Sequence, residues 1–202
     1  MRSASSARTG SVASRVLSVV VLGLAVPAVA QERPFGQREL RVSVVAGQAF
    51  HREPGQGWGE FVSPVVQWGR FLSRRVEPLV ELHPLMLVNQ PRFPPDGERE
   101  LVEAVALDVG IRWYFSPESW TPKLYVEVLE GAFYSLRPVP ARGTSFNFLS
   151  QAGAGVRLPF GDRWQPFVQY RWVHISNAGT GHYNPDWDFH GLMIGGSLVL
   201  PD

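Results

Sequence analysis

Near the end of the chain a histidine, a serine and an aspartate stand at a spacing suited to acyl transfer. His174 and Ser176 are two apart in Tyr170-Arg171-Trp172-Val173-His174-Ile175-Ser176-Asn177-Ala178-Gly179, and Asp188 follows beyond a stretch of turn formers. On a β-strand, residues i and i+2 point to the same side. His174 and Ser176 then share the face of Val168, Tyr170 and Trp172. If residues 187–200 form the next strand and pair antiparallel, Asp188 comes alongside 174–176 across the ladder. Its face continues with His190, Leu192, Ile194 and Leu198. A hydroxyl, an imidazole and a carboxylate so placed form a nucleophile, its base and the group that orients the base. The imidazole takes the serine proton; the carboxylate fixes the tautomer and stabilises the imidazolium.

Such a site needs strands to carry it, and the rest of the chain supplies them. The 202 residues are 45% hydrophobic and 18% charged, with seven Trp, twelve Phe, five Tyr and no Cys. That length suits one domain, and that apolar fraction is too high for a disordered chain. The absence of cysteine excludes disulfides, thiolate metal sites and cysteine nucleophiles. A formal charge of +1 argues against a nucleic-acid partner. No segment keeps a helical period. Instead, eight stretches alternate with period two, near 40–50, 60–72, 75–89, 101–115, 122–137, 144–158, 164–176 and 187–200. Several reach the roughly 9–11 residues that a tilted strand needs to cross a bilayer.

Sorting the faces gives one apolar, ring-rich side and one polar side. Val76, Pro78, Val80, Leu82, Pro84, Met86 and Val88 fall together, opposite Arg75, Glu77, Glu81 and His83. Val105, Leu107, Val109, Ile111, Trp113 and Phe115 oppose Asp108, Arg112 and Tyr114. Phe146, Phe148, Ala152, Ala154 and Val156 oppose Asn147, Gln151 and Arg157. The polar side carries few charges, of both signs, and many glycines, among them Gly47, Gly110, Gly131, Gly153 and Gly155. A soluble barrel would place most of its charge outside. This pattern instead fits a narrow lumen plugged by an ion-pair network, with the aromatic face turned to lipid. The expected fold is all-β: an eight-stranded antiparallel up-and-down transmembrane barrel of the outer-membrane type, spanning 31–202. Closure satisfies every backbone group in hydrocarbon. Connections 51–59, 90–100, 138–143 and 177–187 are mostly longer than 73–74, 116–121 and 159–163, which assigns the first set to the cell exterior.

Residues 1–30 read as a secretory signal peptide: Arg2, Arg8 and Arg15, then an apolar run from Val16 to Val26, then Ala28-Val29-Ala30 before Gln31. All 18 acidic residues and 16 of the 19 basic ones lie beyond it, giving 16 − 18 = −2 for the exported part. Glu77, Glu81, Asp108, Arg112, Glu127, Arg157 and Arg171 read as structural lumen residues. His83 joins them, and His51 reads as a loop residue. His182 and Asp186 are too few for a metal site. His190 shares the face of His174, as a contact or as a bystander. Trp113, Trp120, Trp164 and Trp172 read as interface anchors.

The segment from His174 to Gly179 resembles the signature of the PagL-type lipid A 3-O-deacylases of the acyloxyacyl hydrolase family. Asn184-Pro185 followed by Asp188 fits the family's spacing, and Phe146-Asn147-Phe148-Leu149-Ser150-Gln151-Ala152-Gly153-Ala154-Gly155 resembles its preceding strand. The resemblance covers the C-terminal third well and the remainder in pattern. It implies an outer-membrane serine esterase that removes the 3-position acyl chain of lipid A, with its site facing the outer leaflet. It further implies Ser176 as nucleophile, His174 as base, Asp188 where the family has a glutamate, and Asn177, Ala178 and Gly179 as the oxyanion and substrate segment. Oxyanion donors are worth about 2.7–4 kcal/mol each. The acyl chain is expected along Tyr170, Trp172 and Leu192. The implied partners are lipopolysaccharide and the outer membrane, with no cofactor or metal; oligomeric state is left open, a homodimer included. Two other readings compete: a non-enzymatic structural or adhesive barrel, and a soluble lipocalin-like carrier with the apolar faces inside.

Overall fold

A computed structural model describes residues 35–52, 58–93, 97–117, 119–158 and 163–201. The expected signal peptide lies outside these residues. Eight strands follow one another: β1 (Arg38–Arg52), β2 (Glu60–Arg70), β3 (Val76–Pro91), β4 (Arg99–Tyr114), β5 (Lys123–Ser135), β6 (Phe146–Arg157), β7 (Trp164–Ser176) and β8 (Trp187–Val199). Each pairs antiparallel with the next, and β8 closes on β1, so the sheet has no edge. The fold is the closed eight-stranded barrel that the alternation predicts. The shortest strand has 11 residues, enough to cross a bilayer when tilted.

The faces fall as expected along most of the wall. On β7, Val168 and Tyr170 are 39% and 47% exposed, whereas Gln169 and Arg171 are 1% and 0% exposed. The ring-rich side is therefore the exterior, which removes the soluble-carrier reading. Leu107, Val109, Ile111 and Trp113 continue that outer belt on β4.

One stretch departs from the sorting. Met86 and Val88 are buried and Leu85 is exposed, the reverse of strict alternation. The register explains this. Between Val62↔Leu87 and Val66↔Leu82, five steps of β3 face four of β2; between His83↔Ala106 and Met86↔Ala104, three steps of β3 face two of β4. β3 thus carries one extra residue beside Pro84, whose ring nitrogen has no hydrogen to give the ladder. A one-residue slip inverts every side chain beyond it.

The lumen is layered. At the end bearing 177–186 it is apolar, filled by Phe61, Phe133, Leu149, Ile175, Trp187 and Phe189. Below lies a charge network. Arg112 donates to Glu77 and Gln67, each at 2.8 Å, and to Glu127. Arg171 bridges Glu81 and Glu127. Arg157 reaches Glu39 at 3.2 Å, and Arg41 binds the same carboxylate at 2.6 Å. Phe71, Tyr114 and Tyr125 close the far end. Gly155 makes room there: a Cβ at that position would sit 2.5 Å from the Tyr125 ring. All eight residues assigned to the lumen from sequence, His83 included, are buried in it.

Candidate active site

β7 and β8 are joined by one connection and pair antiparallel. The register of this ladder sets Trp172 opposite His190, and His174 opposite Asp188. Directly opposed residues bring their Cβ atoms to about 4.5–5.5 Å. At that separation an aspartate reaches an imidazole. His174 Nδ1 lies 2.9 Å from Asp188 Oδ1. A proton on Nδ1 directed at the carboxylate leaves Nε2 as the acceptor, the form a general base requires. The ring of Trp172 stacks on that of His174 with centroids 5.8 Å apart.

The wall behind these groups is closely packed. Val173, Ile175, Trp187 and Phe189 alternate with the site residues, point inward and are almost fully buried. Ser176 ends β7 on the outer face, opposite Phe148 of β6, and is half-buried. Among the described residues its hydroxyl has no hydrogen-bond partner. Ser150 of β6 stands opposite His174 on the side away from Asp188. In the sequence Ser150 stands only within the stretch that resembles the family's preceding strand; its place beside the histidine follows from the β6–β7 register, which no single strand reveals.

The loop after Ser176 is held by Asn177, which is fully buried. Its backbone N–H donates to Asn184 Oδ1 at 2.8 Å, and its Nδ2 donates to the Tyr183 carbonyl at 2.8 Å. Its Oδ1 accepts from the Gly179 N–H at 2.9 Å, and its carbonyl accepts from Thr180. Asn177 and Gly179 therefore spend their donors on the loop itself. The Ala178 N–H has no partner among the described residues. Ala178 and Gly179 both take left-handed backbone, with φ of 51° and 77°. The pair turns the chain back over the end of β7.

Tyr170 and Leu192 face each other on the exposed wall, with Trp172 above Tyr170 on the same strand. His190 stands opposite Trp172, not His174. It bonds to the Tyr170 hydroxyl through Nδ1 and stacks on Phe50 with centroids 3.8 Å apart. His51 belongs to β1, opposite Asp188 in register, and not to a loop. Pairing with Asp188 and Trp187 of β8 carries β1 through His51 to Arg52. His182 is exposed in the loop. Among the described residues, the group with metal-ligand spacing is Glu81, His83 and Asp108, in the lumen. Glu81 there already accepts from Arg171, Gln67, Gln151 and His83. A guanidinium on the same carboxylate opposes a second cation, so the cluster reads as part of the packing network.

The fold and this geometry define a class: a membrane-spanning barrel with a hydroxyl, an imidazole and a carboxylate on its outer wall. The family model for lipid A 3-O-deacylase (PagL) matches residues 87–197, more than half of the chain, and the chain belongs to that family. It is thus an ester hydrolase of the outer membrane that acts on lipid A. Solved structures agree on the fold. The outer-membrane enzyme PagL is 17% identical, covering 77% of this chain and 97% of its own, with a TM-score of 0.56. Neisserial surface protein A (NspA) is 12% identical, covering 81% and 97%, with a TM-score of 0.58. The outer membrane protein OprG from Pseudomonas aeruginosa is 7% identical, covering 83% and 97%, with a TM-score of 0.52. No curated protein matches the chain.

Proposed function

We propose that Ser176 is the nucleophile of the deacylation, His174 its general base and Asp188 the group that orients His174. The observation that carries this reading is the 2.9 Å bond from His174 Nδ1 to Asp188 Oδ1 on the lipid-facing wall, two residues from a serine. His174 Nε2 takes the proton as Ser176 Oγ attacks the ester carbonyl. The oxyanion is met by backbone N–H at the left-handed turn, with Ala178 holding the donor that the loop leaves over. Collapse expels the sugar hydroxyl, which is protonated from His174. Water, activated by the same imidazole, then frees the fatty acid from Ser176. Asp188 stabilises the imidazolium at both steps.

The site faces the outer leaflet in this reading. Lipid A resides there, and an active site on the barrel's exterior meets it without extraction. The severed chain lies along Tyr170, Trp172 and Leu192. Expression of the full chain in membranes followed by mass spectrometry of lipid A tests the assignment. Wild type should remove one ester-linked acyl chain; Ser176→Ala and His174→Ala should leave lipid A intact while keeping the heat-modifiable gel mobility of a folded barrel. Activity surviving in Ser176→Ala would remove the serine from this role.

A further inference from the structure

Arg142 differs from Arg92, Arg99 and Arg137 at the same end of the barrel. Arg92 pairs with Glu98 at 2.5 Å and Arg137 with Glu100 at 2.8 Å, while Arg99 donates to the Trp58 carbonyl and to Asn89. Arg142 has no carboxylate partner among the described residues. Its guanidinium instead lies over two rings, 4.7 Å from the Tyr183 centroid and 5.1 Å from that of Phe93. These rings come from two different connections. A guanidinium held by its faces keeps the N–H groups of its edge directed outward, the fork that matches a phosphate.

The residue is tied to the site. The Tyr183 carbonyl accepts from Asn177 Nδ2, one residue after Ser176. The loop of Arg142 packs on the same connection: a Cβ at Gly143 would lie 3.1 Å from Pro185, and one at Gly181 would lie 2.7 Å from Thr144. A cation with no carboxylate partner among the described residues is therefore held against the connection that follows Ser176.

We propose that Arg142 is an anion-binding residue that takes a phosphate of the lipid A headgroup and sets the register of the scissile ester over Ser176. The inference rests on the proposed site. Lipid A is an acylated, phosphorylated glucosamine disaccharide, so its anionic groups and its esters are at fixed separations. One gripped phosphate then limits which ester can reach the serine.

Two measurements on the full chain in detergent micelles test this. In the first, turnover is followed on phosphorylated lipid A and on the same lipid after enzymatic dephosphorylation. Arg142→Gln should raise KM about tenfold on the phosphorylated lipid, the loss of one charge-assisted contact, with kcat changed less than twofold. On the dephosphorylated lipid, Arg142→Gln and wild type should coincide, and Arg142→Lys should fall between them on the phosphorylated one. An equal loss of kcat on both lipids would make Arg142 a mere clasp on Tyr183 and overturn the proposal. The second measures equilibrium binding of phosphorylated lipid A to Ser176→Ala with and without Arg142→Gln, which needs no turnover. A weaker double variant supports the anion site even if the catalytic assignment fails; equal affinities overturn it. Excess inorganic phosphate should displace the lipid only weakly. Full displacement at equal concentration would assign Arg142 to the free ion and overturn the headgroup reading.

Discussion

His174 and Asp188 face each other across the β7–β8 ladder and share a 2.9 Å hydrogen bond on the outer wall of the barrel. Direct opposition is what lets an acid as short as aspartate reach the imidazole. From a diagonal position the extra methylene of a glutamate would be needed; from across the ladder the aspartate already reaches. Asp188→Asn should keep the barrel folded and cut kcat by about 10²–10⁴-fold, because an amide no longer selects the base tautomer. Asp188→Glu should keep more activity than Asp188→Asn. Rates on lipid A micelles, with gel mobility as the folding control, check both.

Two hydroxyls flank the imidazole: Ser176 on the same strand and Ser150 across the β6–β7 ladder. If Ser176 alone is acylated, Ser150→Ala should keep most of the activity and Ser176→Ala should have none. Trapping with a serine-reactive fluorophosphonate, read by peptide mass, should label residue 176. Label at residue 150 would exchange their roles.

Arg171 is fully buried between Glu81 and Glu127. Removing one partner of a buried charge cluster costs about 3–5 kcal/mol. Arg171→Met should lower the urea midpoint of the folded barrel accordingly. Adding Glu81→Gln should recover part of the loss, since that carboxylate is left without a guanidinium, whereas Glu127 still binds Arg112. The transition is followed by tryptophan fluorescence in detergent.

Gly179 has φ of 77°, and a Cβ there would meet nothing within 4 Å. The penalty of Gly179→Ala is therefore conformational, about 1–2 kcal/mol in the left-handed region. It should slow deacylation several-fold and leave the urea midpoint of the barrel unchanged. Ala178→Gly relieves strain at φ 51° and should keep activity. A large shift in the midpoint for either variant would mean that the turn is coupled to the whole barrel.

Much of the molecule is legible from the chain alone, for a physical reason. A wall with lipid on one side and a dry lumen on the other imposes period two everywhere, so Val168, Tyr170 and Trp172 already separate from Gln169 and Arg171. Met86 and Val88 escape this logic because a bulge at Pro84 shifts the period without leaving a mark in composition. The partnership of His174 and Asp188 follows from one hairpin and could be anticipated. The brace formed by Asn177 could not. Its amide is consumed by Tyr183 and Gly179, and such loop hydrogen bonds depend on a left-handed Ala178 that the sequence gives no reason to expect. The resemblance grouped Asn177 with the oxyanion segment; the structure shows its side chain occupied in holding the turn. Ser150 and Arg142 become visible only when neighbouring strands and loops are laid side by side.

Among the described residues, rings fill the barrel at one end, ion pairs occupy its middle and an aromatic cluster of Phe71, Tyr114 and Tyr125 lies at the other. A vesicle carrying the protein should hold its potassium gradient. In the proposed reading, a fatty acid cut on the outer wall departs sideways, into the leaflet from which its parent lipid came.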